Sequence, residues 1–335
     1  MRTGTGDNTY EWIDNWARVP ESESSRLGWA HPGMVVTEAG EIITCHSGDH
    51  TVLFFDGEGN LVKSWDGDFA DAHGITLVKD GPAEQLWIAD NGSKRHHTHG
   101  YDYPPGAEQA SGRVFKTTLD GEVEMRLPKP DHPAYSTTRY APTTVAVNEE
   151  RFGGNGDIWV GDGYGASLVH RFNAAGEHIG TISGEEGAGA FNCPHGIFID
   201  RRKPDAELYV ADRANARVQV YDLEGKFKRS FGTDYLTTPS AFATHGDQMV
   251  IAELRARLVV VDAEDRLVCY LGDNLPVFEV DGWPNNRNDR GEIIPTTLLE
   301  EGKFNSPHGM AVDGDGNIYV AEWLIGGRIT KLAKL

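Results

Sequence analysis

Pro194-His-Gly-Ile-Phe-Ile-Asp200, Glu207-Leu-Tyr-Val-Ala-Asp212, Arg217-Val-Gln-Val-Tyr-Asp222 and Gly225-Lys-Phe-Lys-Arg-Ser-Phe231 are four short runs in close succession, mostly alternating apolar and polar residues and separated by tight turns. Alternation of period two, broken by Asp, Gly, Asn and Pro, predicts four antiparallel strands. The same four-part unit returns from His31 to Trp65, Ala72 to Leu127, Ala141 to Ile182, Pro239 to Leu271 and Pro307 to Leu335. Repeats at this spacing are the mark of propeller blades. The expectation is therefore an all-β chain, a six-bladed β-propeller forming a single domain over residues 1–335. The last copy stops after its third strand at Arg328-Ile-Thr-Lys-Leu332, while Tyr10-Glu-Trp-Ile-Asp-Asn-Trp16 reads as an outer strand without a blade. Pairing the two closes the ring and removes its free edges.

Composition agrees with that reading. Of 335 residues, 39% are hydrophobic and 24% charged, enough for a sizeable core, and the 40 glycines recur in short Asp/Gly/Asn clusters that are turn chemistry. A net charge of −20 repels phosphate backbones and anionic headgroups, so neither nucleic acid nor membrane is an expected partner. The N-terminal stretch lacks a basic start and an apolar run of signal type, and no segment has the apolar length of a membrane span, so a cytoplasmic location is expected. Cys45, Cys193 and Cys269 are odd in number and widely spaced, which suggests free buried thiols.

In an antiparallel blade, the second-to-third loops and the blade-to-blade loops share one face. The segments 91–112, 128–140, 183–192 and 272–305 all belong to that set, whereas the opposite turns, such as Asp56-Gly-Glu-Gly-Asn60 and Asp222-Leu-Glu-Gly225, are short. Long loops gathered on one side predict a walled pocket over the tunnel mouth. Tyr101, Tyr103, Tyr135, Phe278 and Trp283 in them suit an organic substrate with apolar or sugar-like faces. Asp313-Gly-Asp-Gly-Asn317 begins like a calcium loop, but Ile318 stands where that loop needs glycine and no bidentate Glu follows, so a plain turn is expected.

The chemistry lies in the innermost strands. Their second positions read Pro32, His73, Thr143, His195, Ser240 and His308. Equivalent positions point the same way, so His73, His195 and His308, on alternate blades, are expected to converge on the axis as a three-imidazole site for one divalent metal ion. That is the three-ligand, open-position geometry of a catalytic zinc site, and iron, manganese or another divalent ion also fits, since three neutral imidazoles do not single out zinc. The second strands end in His46, Asp90, Asp162, Asp212, Glu253 and Glu322, which either orient the imidazoles or anchor the turns that follow. Tyr164 and Arg213 stand beside them, and a phenol next to a guanidinium has its phenolate favoured, which makes Tyr164 a candidate base. His96, His97 and His99 form either a solvated lid or a second metal site, and His31, His46 and His50 are weaker candidates.

These motifs resemble a known family, the peptidyl-α-hydroxyglycine α-amidating lyases among the NHL-repeat propellers. The repeat architecture covers nearly the whole chain. Ala72-His-Gly74, Pro194-His-Gly196 and Pro307-His-Gly309 are similar to the segments that furnish that family's zinc histidines. Asp162-Gly-Tyr164 is similar to its catalytic-tyrosine segment, and Val210-Ala-Asp-Arg213 to its catalytic-arginine segment. Ser47 replaces a second arginine of the family, Ser306 an active-site methionine and Gly309 a calcium-binding aspartate, and the family's disulfide cysteines are unmatched. The resemblance implies a metal-dependent lyase acting on a small organic substrate, with the ion as Lewis acid, Tyr164 as base and Arg213 stabilising negative charge. A propeller hydrolase, lactonase or hydratase and a non-enzymatic protein-binding scaffold are the rival readings. The three histidines speak against a calcium-type lactonase, because calcium prefers oxygen ligands.

Overall fold

A computed structural model describes residues 1–93 and 110–335. The His96, His97 and His99 group and the aromatic residues Tyr101 and Tyr103 lie outside the described residues. The strands build six antiparallel sheets, five of four strands and one of five, with a small ribbon pairing Asn286–Arg287 to Ile293–Ile294. The fold is a six-bladed β-propeller. No helix among the described residues is long and apolar enough to cross a membrane.

The chain divides into two compact units. One, from Phe69–Gly92 and Ala110–Phe242, holds blades 2, 3 and 4. In blade 4 the strands run Pro194–Asp200, Glu207–Asp212, Arg217–Tyr221 and Phe227–Phe231. The second strand is buried at every residue, while the outermost has no fully buried residue and exposes Lys228 and Ser230. That gradient is why only the outer strands alternate cleanly in sequence, since a strand covered on both faces is apolar at most positions. Trp159, Val169, Ile197, Leu208, Val210 and Tyr221 form one core of this unit.

The other unit, drawing on Met1–Asp68 and Ala243–Leu335, holds blades 1 and 6 and most of blade 5. Its core gathers Trp16, Met34, Leu53, Phe55, Tyr319 and Ala321. Blade 6 is completed as expected: Asn8–Ile13 pairs antiparallel with Ile329–Lys334, setting Tyr10 opposite Lys334 and Trp12 opposite Leu332. A further strand, Arg2–Thr5, folds back on Asn8–Ile13 as a fifth member that the repeat did not announce.

The short turns share one device. The Asp56 carboxylate accepts the amides of Glu58 and Asn60 at 3.0 and 2.8 Å, and Asp222 accepts those of Glu224 and Lys226 at 3.0 and 2.8 Å. Asp313 does the same with Asp315 and Asn317 at 3.0 and 2.9 Å, so its carboxylate is spent on its own turn. The cysteines are free, but only Cys45 is buried; Cys193 sits in the loop entering blade 4 and Cys269 on the outer strand of blade 5, and both are half-buried.

Trp12 is 3% exposed and its ring lies 4.6 Å from that of Phe304. Trp12→Ala should cost about 3–5 kcal/mol, read as a lower urea midpoint. An unchanged midpoint would mean that the N-terminal strand adds nothing to blade 6.

Candidate functional site

Each of the three histidines sits where its strand slips register. Ala72 pairs with Asp90 but Gly74 with Ala89, so His73 is the extra residue of a β-bulge. The pairing also shifts between Pro194 and Ile197 around His195, and between Pro307 and Gly309 around His308. A bulge re-aims a side chain out of the regular alternation. His73 and His195 are 2% exposed and His308 is 3% exposed.

The glycine after each histidine has a steric purpose. A Cβ on Gly74 would lie 2.2 Å from the carbonyl oxygen of Thr143, one on Gly196 2.5 Å from that of Ser240, and one on Gly309 2.0 Å from that of Pro32. In every case the opening strand of another blade passes directly over the glycine. Two of those carbonyls also hold the imidazoles: Thr143 O lies 2.7 Å from His73 Nδ1, and Ser240 O lies 2.8 Å from His195 Nδ1. The His-Gly pair is thus one device, the glycine admitting the carbonyl that the histidine binds.

A carbonyl only accepts, so each Nδ1 carries the hydrogen and each neutral ring keeps its lone pair on Nε2. Both Nε2 atoms face the same phenol, with Tyr164 oxygen 3.2 Å from His73 Nε2 and 3.0 Å from His195 Nε2. The phenol has one proton for two lone pairs. The donor set fits an ion that takes neutral imidazoles. His73, His195 and Tyr164 all belong to the unit of blades 2 to 4. In the other unit, His308 takes the equivalent second position of Pro307–Val312, its ring 5.5 Å from that of His31.

Arg213 opens a single helical turn whose amides are held by Cys193 O at 3.2 Å and Asn192 O at 3.0 Å. Its Nη1 donates to the Tyr164 oxygen at 3.5 Å. Burial lowers the guanidinium pKa, but Tyr164 and Cys193 outweigh it and the net direction is up. Burial pushes the Cys193 thiol up, against the pull of Arg213.

Most of the residues that end the second strands anchor turns. Asp162 accepts the amides of Ala141 and Ala166 at 2.7 and 2.6 Å, and Asp212 that of Asn192 at 2.7 Å together with Arg217 Nε at 2.7 Å. Glu322 takes the amides of Asn305 and Ser306 at 2.6 and 2.9 Å, and His46 takes those of Gly48 and Asp49, both at 3.0 Å. The imidazoles of His73 and His195 are oriented by backbone carbonyls instead, a role no side-chain pattern announces. Tyr135, expected to face a substrate, turns its hydroxyl inward to Asp162 at 2.9 Å. Ser47 lines a cavity of about 350 Å³ together with Pro32, Cys45, His46 and Arg328.

No family model matches the chain. It is 26% identical to peptidyl-glycine alpha-amidating monooxygenase B of Xenopus laevis over 75% of this chain and 25% of that protein. It is 26% identical to peptidyl-alpha-hydroxyglycine alpha-amidating lyase 2 of Drosophila melanogaster, over 82% and 58% of the two chains. NHL repeat-containing protein 3 of Homo sapiens is 27% identical over 81% and 69%. The homologues of this chain thus include amidating lyases and NHL-repeat proteins, and the chain spans about a quarter of the length of the frog proteins it matches. Among solved structures, a streptogramin B lyase superposes with a TM-score of 0.58 at 16% identity, covering 96% of this chain and 97% of that one. A catalytically inactive virginiamycin B lyase from Staphylococcus aureus, solved with quinupristin, superposes at 0.55 and 12% identity, covering 97% and 100%. At these identities the likeness shows the fold alone.

Gly74→Ala should force Thr143 O away from His73, costing about 1–3 kcal/mol and freeing the ring to turn. Thermal melts and histidine ring NMR read both effects. A variant with unchanged stability and an unchanged His73 Nδ1 hydrogen signal would show that the close approach is not needed.

Proposed function

We propose that this chain is a metal-dependent lyase acting on a small organic substrate, with one divalent ion, zinc in first place, held by His73, His195 and His308. The observation that carries the reading is the pair of Nε2 lone pairs directed at a single phenol beside a guanidinium. His308 enters by register, since it is a buried imidazole at the second position of its opening strand with the same bulge and the same following glycine. The names of the Drosophila relatives, both amidating lyases, support the reaction class.

When bound, the ion supplies Lewis acidity to a substrate hydroxyl or carbonyl oxygen. Thr143 and Ser240 keep the His73 and His195 rings in the tautomer and orientation that leave Nε2 available. Tyr164 is within reach of both rings, and in its phenolate form it takes a proton from the substrate and returns it to the leaving group. Arg213, donating to the phenol oxygen, stabilises negative charge on it in the deprotonated state. Ser47 adds no cation to the wall of the cavity it lines, where the guanidiniums come from Arg18 and Arg328. Elimination from a carbinolamide is the reaction these parts perform in the family the chain resembles. The same parts serve another elimination or a hydration equally well, because the site and not the fold sets the chemistry.

Elemental analysis of the purified protein should find close to one zinc, iron or manganese per chain, lost in His195→Ala. Tyr164→Phe should keep the metal and lose roughly 10²–10⁴-fold in turnover of a carbinolamide such as α-hydroxyhippurate, or of the substrate found by a lyase screen. Absence of any tightly bound transition metal after supply would overturn the catalytic reading. Full activity in Tyr164→Phe would remove the phenol from proton transfer.

A further inference from the structure

Behind the turn that carries Tyr164 lies a second polar cluster, wholly within the unit of blades 2 to 4, that the proposed reaction does not use. Asp162 Oδ2 accepts the Tyr135 hydroxyl at 2.9 Å, and the same hydroxyl oxygen is 2.6 Å from His170 Nε2. His170 Nδ1 is 2.9 Å from Thr181 Oγ1, which is 3.0 Å from His178 Nε2. Asp162 and His170 are fully buried, whereas His178, on the outer strand of blade 3, is partly exposed. Five side chains therefore form an unbroken hydrogen-bonded line from the blade's outer strand to a buried carboxylate.

The proton count gives the line only two orderly states. With Asp162 ionised, Tyr135 donates to it, His170 donates from Nε2 to the Tyr135 oxygen, Thr181 donates to His170 Nδ1, and His178 donates from Nε2 to Thr181. With Asp162 protonated, every donor points the other way and His170 carries its hydrogen on Nδ1. We infer that Asp162, Tyr135, His170, Thr181 and His178 form a proton-conducting chain that titrates Asp162 from the protein surface and so sets the turn holding Tyr164. The transfer balances: a His178 imidazolium, charged from solvent, gives up its Nε2 proton, each member passes one proton along, and Asp162 becomes neutral. No other atom changes partner, and His170 changes tautomer without changing charge.

The surroundings favour such a chain. Burial raises the Asp162 carboxyl to about 6, against the amides of Ala166 and Ala141, the Tyr135 hydroxyl and nearby Arg139. Burial, together with His178 and His132, holds His170 down at about 3, so it stays neutral while Asp162 titrates. Facing these groups from the neighbouring elements are Tyr140 and His132 beside His170, Lys129 over the Tyr135 ring, Asp131 near His178, and Cys193 toward Asp162. The link to Tyr164 is mechanical. Asp162 holds the amide of Ala141, whose carbonyl accepts the Tyr164 N–H at 3.3 Å, and it also holds the amide of Ala166 on the far side of the turn. A protonated carboxyl is a weaker acceptor than a carboxylate, so the turn loosens as the chain loads. Tyr135 and His170 are positioning residues in this scheme.

The test is NMR of the full chain with ring-¹⁵N histidine, titrated from about pH 5 to about pH 7.5. In the wild type, His170 should pass from Nδ1–H to Nε2–H with rising pH around a midpoint near 6 without becoming a cation, and the Tyr164 ring signal should follow the same midpoint. Thr181→Val, which cuts the line far from Tyr164, should slow exchange of the His170 ring proton with water by about tenfold or more. Tyr135→Phe should uncouple the Tyr164 signal from the His170 transition. A single His170 tautomer throughout the wild-type titration overturns the inference, as does unaltered exchange in a folded Thr181→Val. Because no substrate or ion enters the measurement, its failure leaves the metal reading standing, and loss of the metal reading leaves this one standing.

Discussion

The contact on which the site depends is that between a backbone carbonyl of one blade and a His-Gly pair of its neighbour. Thr143 O and Ser240 O each sit where a Cβ on the glycine would collide, and each grips the Nδ1 of the preceding histidine. Two requirements are met by one atom. The blades pack at backbone distance, and the imidazole is fixed in the tautomer whose remaining lone pair is directed at Tyr164. Had the neighbouring blade presented a side chain instead, orientation would depend on a rotamer. A carbonyl in a strand costs no further entropy to hold in place.

The β-bulge belongs to the same construction. An inner strand in regular register would alternate its side chains strictly between its two faces. The slip at His73, and the shifts around His195 and His308, free one residue per strand from that rule without ending the sheet. Blade 3 offers the control: its opening strand pairs in regular register from Thr144 to Val147, and the equivalent residue, Thr143, contributes a carbonyl and a hydroxyl that donates to His195 O at 2.8 Å. Blades 2 and 3 thus present an imidazole and its supporting carbonyl according to local register.

The carboxylates that end the second strands show how a propeller keeps its loops in place with no regular structure in them. Asp90, Asp162, Asp212 and Glu322 are fully buried and accept from backbone amides of the loop entering their own blade. Asp90, Asp212 and Glu322 also take a guanidinium, from Arg113, Arg217 and Arg328. Asp162 takes the Tyr135 phenol in that place, with the Arg139 guanidinium nearby. That single difference leaves a buried carboxyl open to titration beneath the turn that bears the candidate base.

Much of this was legible in the residues. Period-two strands, Asp/Gly turns and the recurrence of the unit determine six blades, because alternation and turn chemistry are local properties that each blade repeats. The identity of His73, His195 and His308 as the singular residues of their strands, and of Tyr164 and Arg213 as their companions, follows from aligning the repeats. What only the tertiary structure decided is orientation. The bulges, the carbonyls that select the tautomer, the second N-terminal strand and the inward turn of Tyr135 all depend on backbone atoms of neighbouring elements, and every residue carries the same backbone. Sequence patterns name side chains, so contacts made by main-chain carbonyls and by register slips become visible only when the blades are packed against one another.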